Sequence, residues 1–212
     1  GVCVHCGASD PNYKAPAVQS NDVPDAVPTT PDAAGNWYRK NTIKLTAPTG
    51  YYISQTSDES SFGTATSLDL TLNEGENKIT YYLLSTDGKV ISKEKTLTAN
   101  FDQTAPVISG VEGKKTYCEA PTLTISDANL VQVTVNGTSV SLTAEETLTV
   151  APAETEQTMK AVDAAGNEAS ITITVHNGHS YANGICTVCG QYDPQYTVNV
   201  DAQFLTQGLG SN

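Results

Sequence analysis

Residues 131–142 read VQVTVNGTSVSL, and this stretch decides the fold. Val131, Val133 and Val135 alternate with polar residues, Asn136-Gly137 follows, and Val140 and Leu142 resume the alternation. A period of two is the spacing of a half-buried strand. Asn and Gly both tolerate the positive φ that a type I′ turn demands, so the stretch predicts a β-hairpin. The same pattern repeats on either side. Leu123–Ile125, Leu148–Val150, Thr158–Val162 and Ile171–Val175 complete a strand series that opens at Pro106. Upstream, Thr42–Thr46, Tyr51–Gln55, Ser67–Leu72, Lys78–Leu84 and Val90–Thr98 form a second series, separated by Pro48-Thr49-Gly50, Asn73-Glu74-Gly75 and Asp87-Gly88. Turn residues between short runs of β-branched and aromatic residues are the signature of strands. Nowhere do apolar residues recur at the three-and-four spacing of a helix.

The two series echo each other. A shift of 78 residues sets Gly88 on Gly166, Tyr81 on Met159 and Leu83 on Ala161. Strands every ~8–12 residues over a short span suit a small sandwich. A single large barrel gives no reason for the echo. The reading is therefore an all-β chain with two tandem sandwiches, residues 36–102 and 103–176. Residues 15–35, with Pro16, Pro24, Pro28 and Pro31 and no periodicity, read as an extended linker.

A second repeat brackets the sandwiches. Residues 1–13 read GVCVHCGASDPNY and residues 184–196 read GICTVCGQYDPQY, with Gly, Cys, Cys, Gly, Asp, Pro and Tyr in register. The expectation is a partial Cys/His box at 1–14, a complete one at 177–196, and a tail or the start of another unit at 197–212. With no signal-like segment ahead of the first copy, the chain reads as a piece of a longer repetitive protein.

Composition excludes several classes. The chain has 212 residues, 11 Lys+Arg and 23 Asp+Glu, for a net charge of −12. A chain this acidic, with Arg39 its one arginine, is poorly built to hold a phosphate backbone, so nucleic acid is not an expected partner. No apolar run approaches the ~18 residues of a membrane span. There is no Gly-x-Ser-x-Gly elbow and no phosphate-cradling loop, and His5, His176 and His179 all lie in or beside the Cys-bearing segments. Acidic pairs such as Asp58-Glu59, Glu145-Glu146 and Glu154 with Glu156 fall in turns and read as solvated surface. Asp127 with Asn129, and Asp163 with Asn167, could serve calcium, but Asp and Asn in turns need no metal to explain them. Lysines on predicted strands, such as Lys44 or Lys160, are candidates for an isopeptide crosslink, but nothing picks out their partners. An enzyme is not expected.

The cysteines carry the sharpest chemistry. The series His176-x2-His179-x6-Cys186-x2-Cys189 supplies four ligands at knuckle spacing, and a glycine follows the second cysteine. Four protein ligands would make a structural Zn²⁺ site. A local disulfide and free thiols stand as alternatives. Cys3 and Cys6 have no upstream histidine and form an incomplete site. Cys118, alone in Tyr117-Cys118-Glu119, reads as a small buried hydrophobe.

Three segments also carry a family likeness. DQTAPVI at 102–108 resembles the opening of bacterial Ig-like repeats, VDAAGN at 162–167 resembles their closing hairpin, and HSYANGICTVCG at 179–190 is similar to a Cys/His box scattered through the same proteins. Such repeats occur in secreted and wall-attached proteins of Gram-positive bacteria, notably gut Firmicutes. The resemblance implies Ig-like sandwiches flanked by Cys-x-x-Cys-Gly knuckles, in a monomeric, extracellular, cell-wall-associated setting. A non-catalytic spacer or adhesin repeat with a host glycan or protein as ligand follows from it. The alternative is an accessory carbohydrate-binding module of a secreted glycan-degrading enzyme, in which Trp37-Tyr38, Tyr51-Tyr52 or Tyr81-Tyr82 would offer a ring for stacking on sugars, although β-propensity and core packing also account for these pairs.

Overall fold

The computed structural model describes residues 13–196; the first knuckle, with Cys3 and Cys6, and residues 197–212 lie outside the described residues. The fold is all-β, as the alternation requires, and a 3₁₀ turn at Glu59–Ser61 is the one helical element among the described residues. The chain divides into two compact units at Ala105–Pro106, apart from the turn Asp163–Asn167, which groups with the first.

The first unit contains β1 (Val18–Ser20), β2 (Val27–Pro28), β3 (Trp37–Tyr38), β4 (Thr42–Thr46), β5 (Tyr51–Ser54), β6 (Ser67–Thr71), β7 (Gly75–Ser85), β8 (Val90–Ser92) and β9 (Lys95–Phe101). One sheet runs β1-β8-β7-β9-β3, with β5 also on β7, and the other runs β2-β4-β6. In β4 the alternation is complete: Ile43 and Leu45 are buried while Thr42, Lys44 and Thr46 face solvent. They meet Ile53, Leu70, Tyr81, Leu83, Ala99 and Phe101 in one core. Burial of each large aliphatic side chain there contributes ~1.5–3 kcal/mol.

The run Val90–Thr98 is two strands, because its halves pair with different parts of the long β7. Ile91 faces Leu84, whereas Lys95–Phe101 pairs with Gly75–Tyr81. Residues 15–35 are also more than a linker. Val18–Ser20 adds in parallel to Val90–Ser92, Val27 and Pro28 pair with Thr46 and Leu45, and Val23 and Ala26 enter the core. Two buried tyrosines fasten this segment: Tyr38 Oη donates to the Thr29 carbonyl (2.9 Å), and the Ala26 N–H donates to Tyr81 Oη (3.3 Å).

The second unit contains β10 (Val107–Ser109), β11 (Thr116–Tyr117), β12 (Thr122–Ser126), β13 (Leu130–Val135), β14 (Thr138–Ser139), β15 (Thr147–Thr149), β16 (Glu156–Asp163) and β17 (Glu168–Val175), followed by β18 (Tyr181–Ala182) and β19 (Ile185–Cys186). Sheets β10-β12-β15 and β11-β17-β16-β13-β14 enclose Leu123, Ile125, Val133, Val150, Met159, Ala161, Ile173 and Val175. The hairpin at Asn136-Gly137 is present, with φ of 49° and 80° at the two residues. Asn136 also accepts from and donates to the Thr158 backbone, both at 2.8 Å, so the turn is tied to β16. Its second strand ends at Ser139, the Val140 N–H still donates to the Val133 carbonyl (3.0 Å), and Val140 and Leu142 pack on the core. The echo between the series is structural: Tyr81, Leu83, Met159 and Ala161 are all buried.

Candidate metal centre

The site begins with a pairing that periodicity does not reveal. The short β11 lies parallel to the end of β17, with Thr116 beside Thr174 and Tyr117 beside Val175. The His176 N–H donates to the Tyr117 carbonyl (2.8 Å) and the Gly178 N–H to the Cys118 carbonyl (3.0 Å). Cys118, at the end of β11, is thereby set beside the chain as it leaves the sandwich. The chain then turns at Gly178 (φ 95°) and presents His179. A small hairpin follows, β18 on β19, closed by Asn183-Gly184 at φ 52° and 77°. Cys186 ends it. The knuckle Cys186–Gly190 closes with the Gly190 N–H on the Cys186 carbonyl (2.9 Å), and Gly190 takes the positive φ of 76° that this tight turn requires.

The result is a convergence of four soft donors. Ligand atoms of Cys118, His179, Cys186 and Cys189 all lie within 4.8 Å of one another. Cys118 Sγ is 3.7 Å from Cys186 Sγ, and Cys189 Sγ is 3.4 Å from His179 Nδ1. Cys118 and Cys186 are buried, and all three cysteines are free thiols. The opposite ring nitrogen, His179 Nε2, faces Glu119 Oε1 at 3.7 Å, and the ring stacks on Tyr181 with centroids 5.3 Å apart. Burial pushes the Cys186 thiol up, but the backbone N–H groups of Cys189 and Val188, with His179 and the Ser180 N–H, outweigh it and hold the thiol down at about 5. Burial, reinforced by the neighbouring Cys189 and Cys186, pushes Cys118 up to about 12. Three thiols and an imidazole closed around one point form a donor set suited to a structural zinc ion, with no position left for substrate.

Of the residues predicted to bind metal, His179, Cys186 and Cys189 come together and His176 does not. Alternation along β17 buries Val175 and turns His176 to the opposite side, where Nδ1 pairs with Glu154 Oε2 at 2.5 Å. Its place is taken by Cys118, which is buried as expected but sits against the other sulfurs rather than in an apolar pocket. An unpaired fifth cysteine was the available signal. The acidic candidates are occupied by turn hydrogen bonds. Asp163 accepts from the Asn167 backbone and side chain, Asp127 from the Asn129 N–H, and Asp58 caps the 3₁₀ turn. Lys160 pairs with Glu168 and Lys44 with Asp69, both at the surface.

Fold and site together define a tandem of Ig-like sandwiches with a Cys₃His box on the second. Residues 104–179 match the family model for glucodextranase, domain B. That segment is the second sandwich, and it includes Cys118 and His179 but ends before Cys186 and Cys189. Among solved structures, the chain is similar to the Bacteroides ovatus mixed-linkage glucan utilization locus SGBP-B in complex with a mixed-linkage heptasaccharide, at 17% identity over 66% of this chain and 45% of that one, with a TM-score of 0.27. The human desmocollin-1 ectodomain matches at 15% identity over 78% of this chain and 36% of that one, with a TM-score of 0.25. The chain spans less than half the length of either. No curated protein matches it.

Proposed function

We propose that this chain is a non-catalytic segment of an extracellular, surface-associated modular protein of a Gram-positive bacterium, in which the two sandwiches act as a spacer or adhesive stalk. The observation that carries the reading is the match of the second sandwich to domain B of a glucodextranase, set beside a preceding sandwich of the same class. The sequence likeness to wall-protein repeats supports the Gram-positive setting. The aromatic pairs support the spacer over a sugar platform: Tyr38 and Tyr81 are buried, Tyr51 packs on the first core, and Tyr52 and Tyr82 pack on the cluster of Phe62, Leu84 and Ile91.

The second reading is an accessory carbohydrate-binding module, favoured by the glucan-processing context of the matched family. Isothermal titration with a panel of soluble glucans separates the two. The spacer reading expects no saturable heat, and saturable binding by any glucan replaces it with the second reading. An antibody against the chain should label intact cells or culture supernatant. Labelling confined to lysed cells overturns the extracellular assignment.

A further inference from the structure

We propose that one Zn²⁺ ion is held by Cys118 Sγ, His179 Nδ1, Cys186 Sγ and Cys189 Sγ, and that it clasps the box of residues 177–196 onto the second sandwich.

The distances fit the ion. Zinc bonds of ~2.3 Å to sulfur and ~2.0–2.1 Å to nitrogen, arranged tetrahedrally, give S···S edges of ~3.8 Å and S···N edges of ~3.6 Å. The observed separations are 3.7 Å for Cys118–Cys186 and 3.4 Å for Cys189–His179. The directions fit as well. Each donor arrives from a different local element: the end of β11, the loop after β17, the end of β19 and the knuckle turn. His179 points Nδ1 inward, and Nε2 lies 3.7 Å from the exposed Glu119 carboxylate, at ion-pair rather than hydrogen-bond distance. Binding releases the thiol protons to solvent.

Beyond its backbone hydrogen bonds, the box has no apolar core to hold its shape. Among residues 177–196 only Gly184 and Cys186 are buried. The large apolar side chains lie outward: Ile185 is 44% exposed, Tyr192 77% and Tyr196 52%. Two strands of two residues each cannot offset the entropy of ordering such a segment. What lies at its centre is sulfur and imidazole. Because Cys118 is 68 residues from Cys186, the ion would close a long loop across the second unit rather than merely staple the knuckle.

The test uses the full chain carrying Cys3→Ser and Cys6→Ser, so that only this site can bind. Apoprotein in reductant is titrated with Zn²⁺ against a chromophoric chelator. One ion per chain is expected. Cys118→Ala and His179→Gln should each weaken binding at least ~100-fold, Glu119→Gln up to ~10-fold, and His176→Gln not measurably. Substituted Co²⁺ should show tetrahedral visible bands and thiolate charge-transfer absorption that falls by about a third in Cys118→Ser. If Cys118→Ala fails to fold, Cys118→Ser and His179→Gln, the latter outside the sandwich core, give the same reading. Three results overturn the proposal: no stoichiometric metal, undiminished affinity and charge transfer without Cys118, or a loss in His176→Gln equal to that in His179→Gln.

Discussion

The second sandwich and the box that follows it are continuous in sequence and opposite in construction. The sandwich encloses aliphatic side chains such as Leu123, Ile125, Ile173 and Val175, each fully buried. The box turns its tyrosines and Ile185 outward and gathers three sulfurs and an imidazole instead. Non-directional burial tolerates changes of detail as long as volume is conserved. A donor cluster holds by geometry and number, so losing one member undoes it. The two regions should therefore fail under different insults.

The largest expected contrast comes from metal removal. Zinc sites of this kind carry apparent binding energies of ~10–16 kcal/mol. Hydrogen exchange by mass spectrometry, with and without chelator in reductant, should show amides of residues 180–192 losing protection by orders of magnitude while those of β12, β16 and β17 stay protected. Equal loss in both regions would show that the box and the sandwich form one cooperative unit.

Core truncation inverts the contrast. Leu123→Ala, at a fully buried site of the second sandwich, should cost ~3–5 kcal/mol in urea denaturation. Ile185→Ala in the box should cost under ~0.5 kcal/mol. A large loss at Ile185 would mean that the box has an apolar core after all. The turn at Asn136 comes next. Asn136→Ala forfeits both a left-handed backbone position and the bond to Thr158, at ~1–2 kcal/mol, and Asn136→Gly should recover the backbone part.

The smallest effect is local and depends on pH. The Asp87 carboxylate accepts from Ser85 Oγ at 2.7 Å and the Lys89 N–H at 3.1 Å, bonds that hold it down at about 2 from 3.8. A carboxylate depressed in the folded state favours that state above its ordinary value, and the benefit fades as pH falls from about 4 toward 2. The Lys89 amide resonance of the folded protein should titrate with a midpoint at about 2 in the wild type and show no such step in Asp87→Asn.

Much of this architecture was legible because burial leaves a period in the sequence. Thr42–Thr46 was read to the residue, since every second side chain meets the core. What escaped were features that leave no period. The strands at Val18–Ser20 and Val27–Pro28 pair through backbone groups at sheet edges, which any composition can supply. Cys118 escaped for a related reason: two residues of parallel pairing, β11 on β17, bring it to its partners from far away in the chain. His176 stands much nearer to Cys186 in sequence than Cys118 does, yet strand alternation turns it toward Glu154. The hairpin between the histidine and cysteine pairs was legible, and Asn183-Gly184, the same dipeptide that marks the main hairpin, closes it.

The short parallel contacts have a mechanical consequence. In the first unit Trp37–Tyr38 lies along Asn100–Phe101, and in the second Thr116–Tyr117 lies along Thr174–Val175. In each pair one strand belongs to the early part of its unit and the other to the end. Tension along the chain draws two such strands in opposite directions along a shared axis, so their hydrogen bonds are loaded in shear and give way together, whereas a hairpin pulled at its open end unzips one bond at a time. Each unit thus carries, beside its long antiparallel ladders of β7 on β9 and β16 on β17, a two-residue latch that ties an early strand to the last strand of its sandwich in shear.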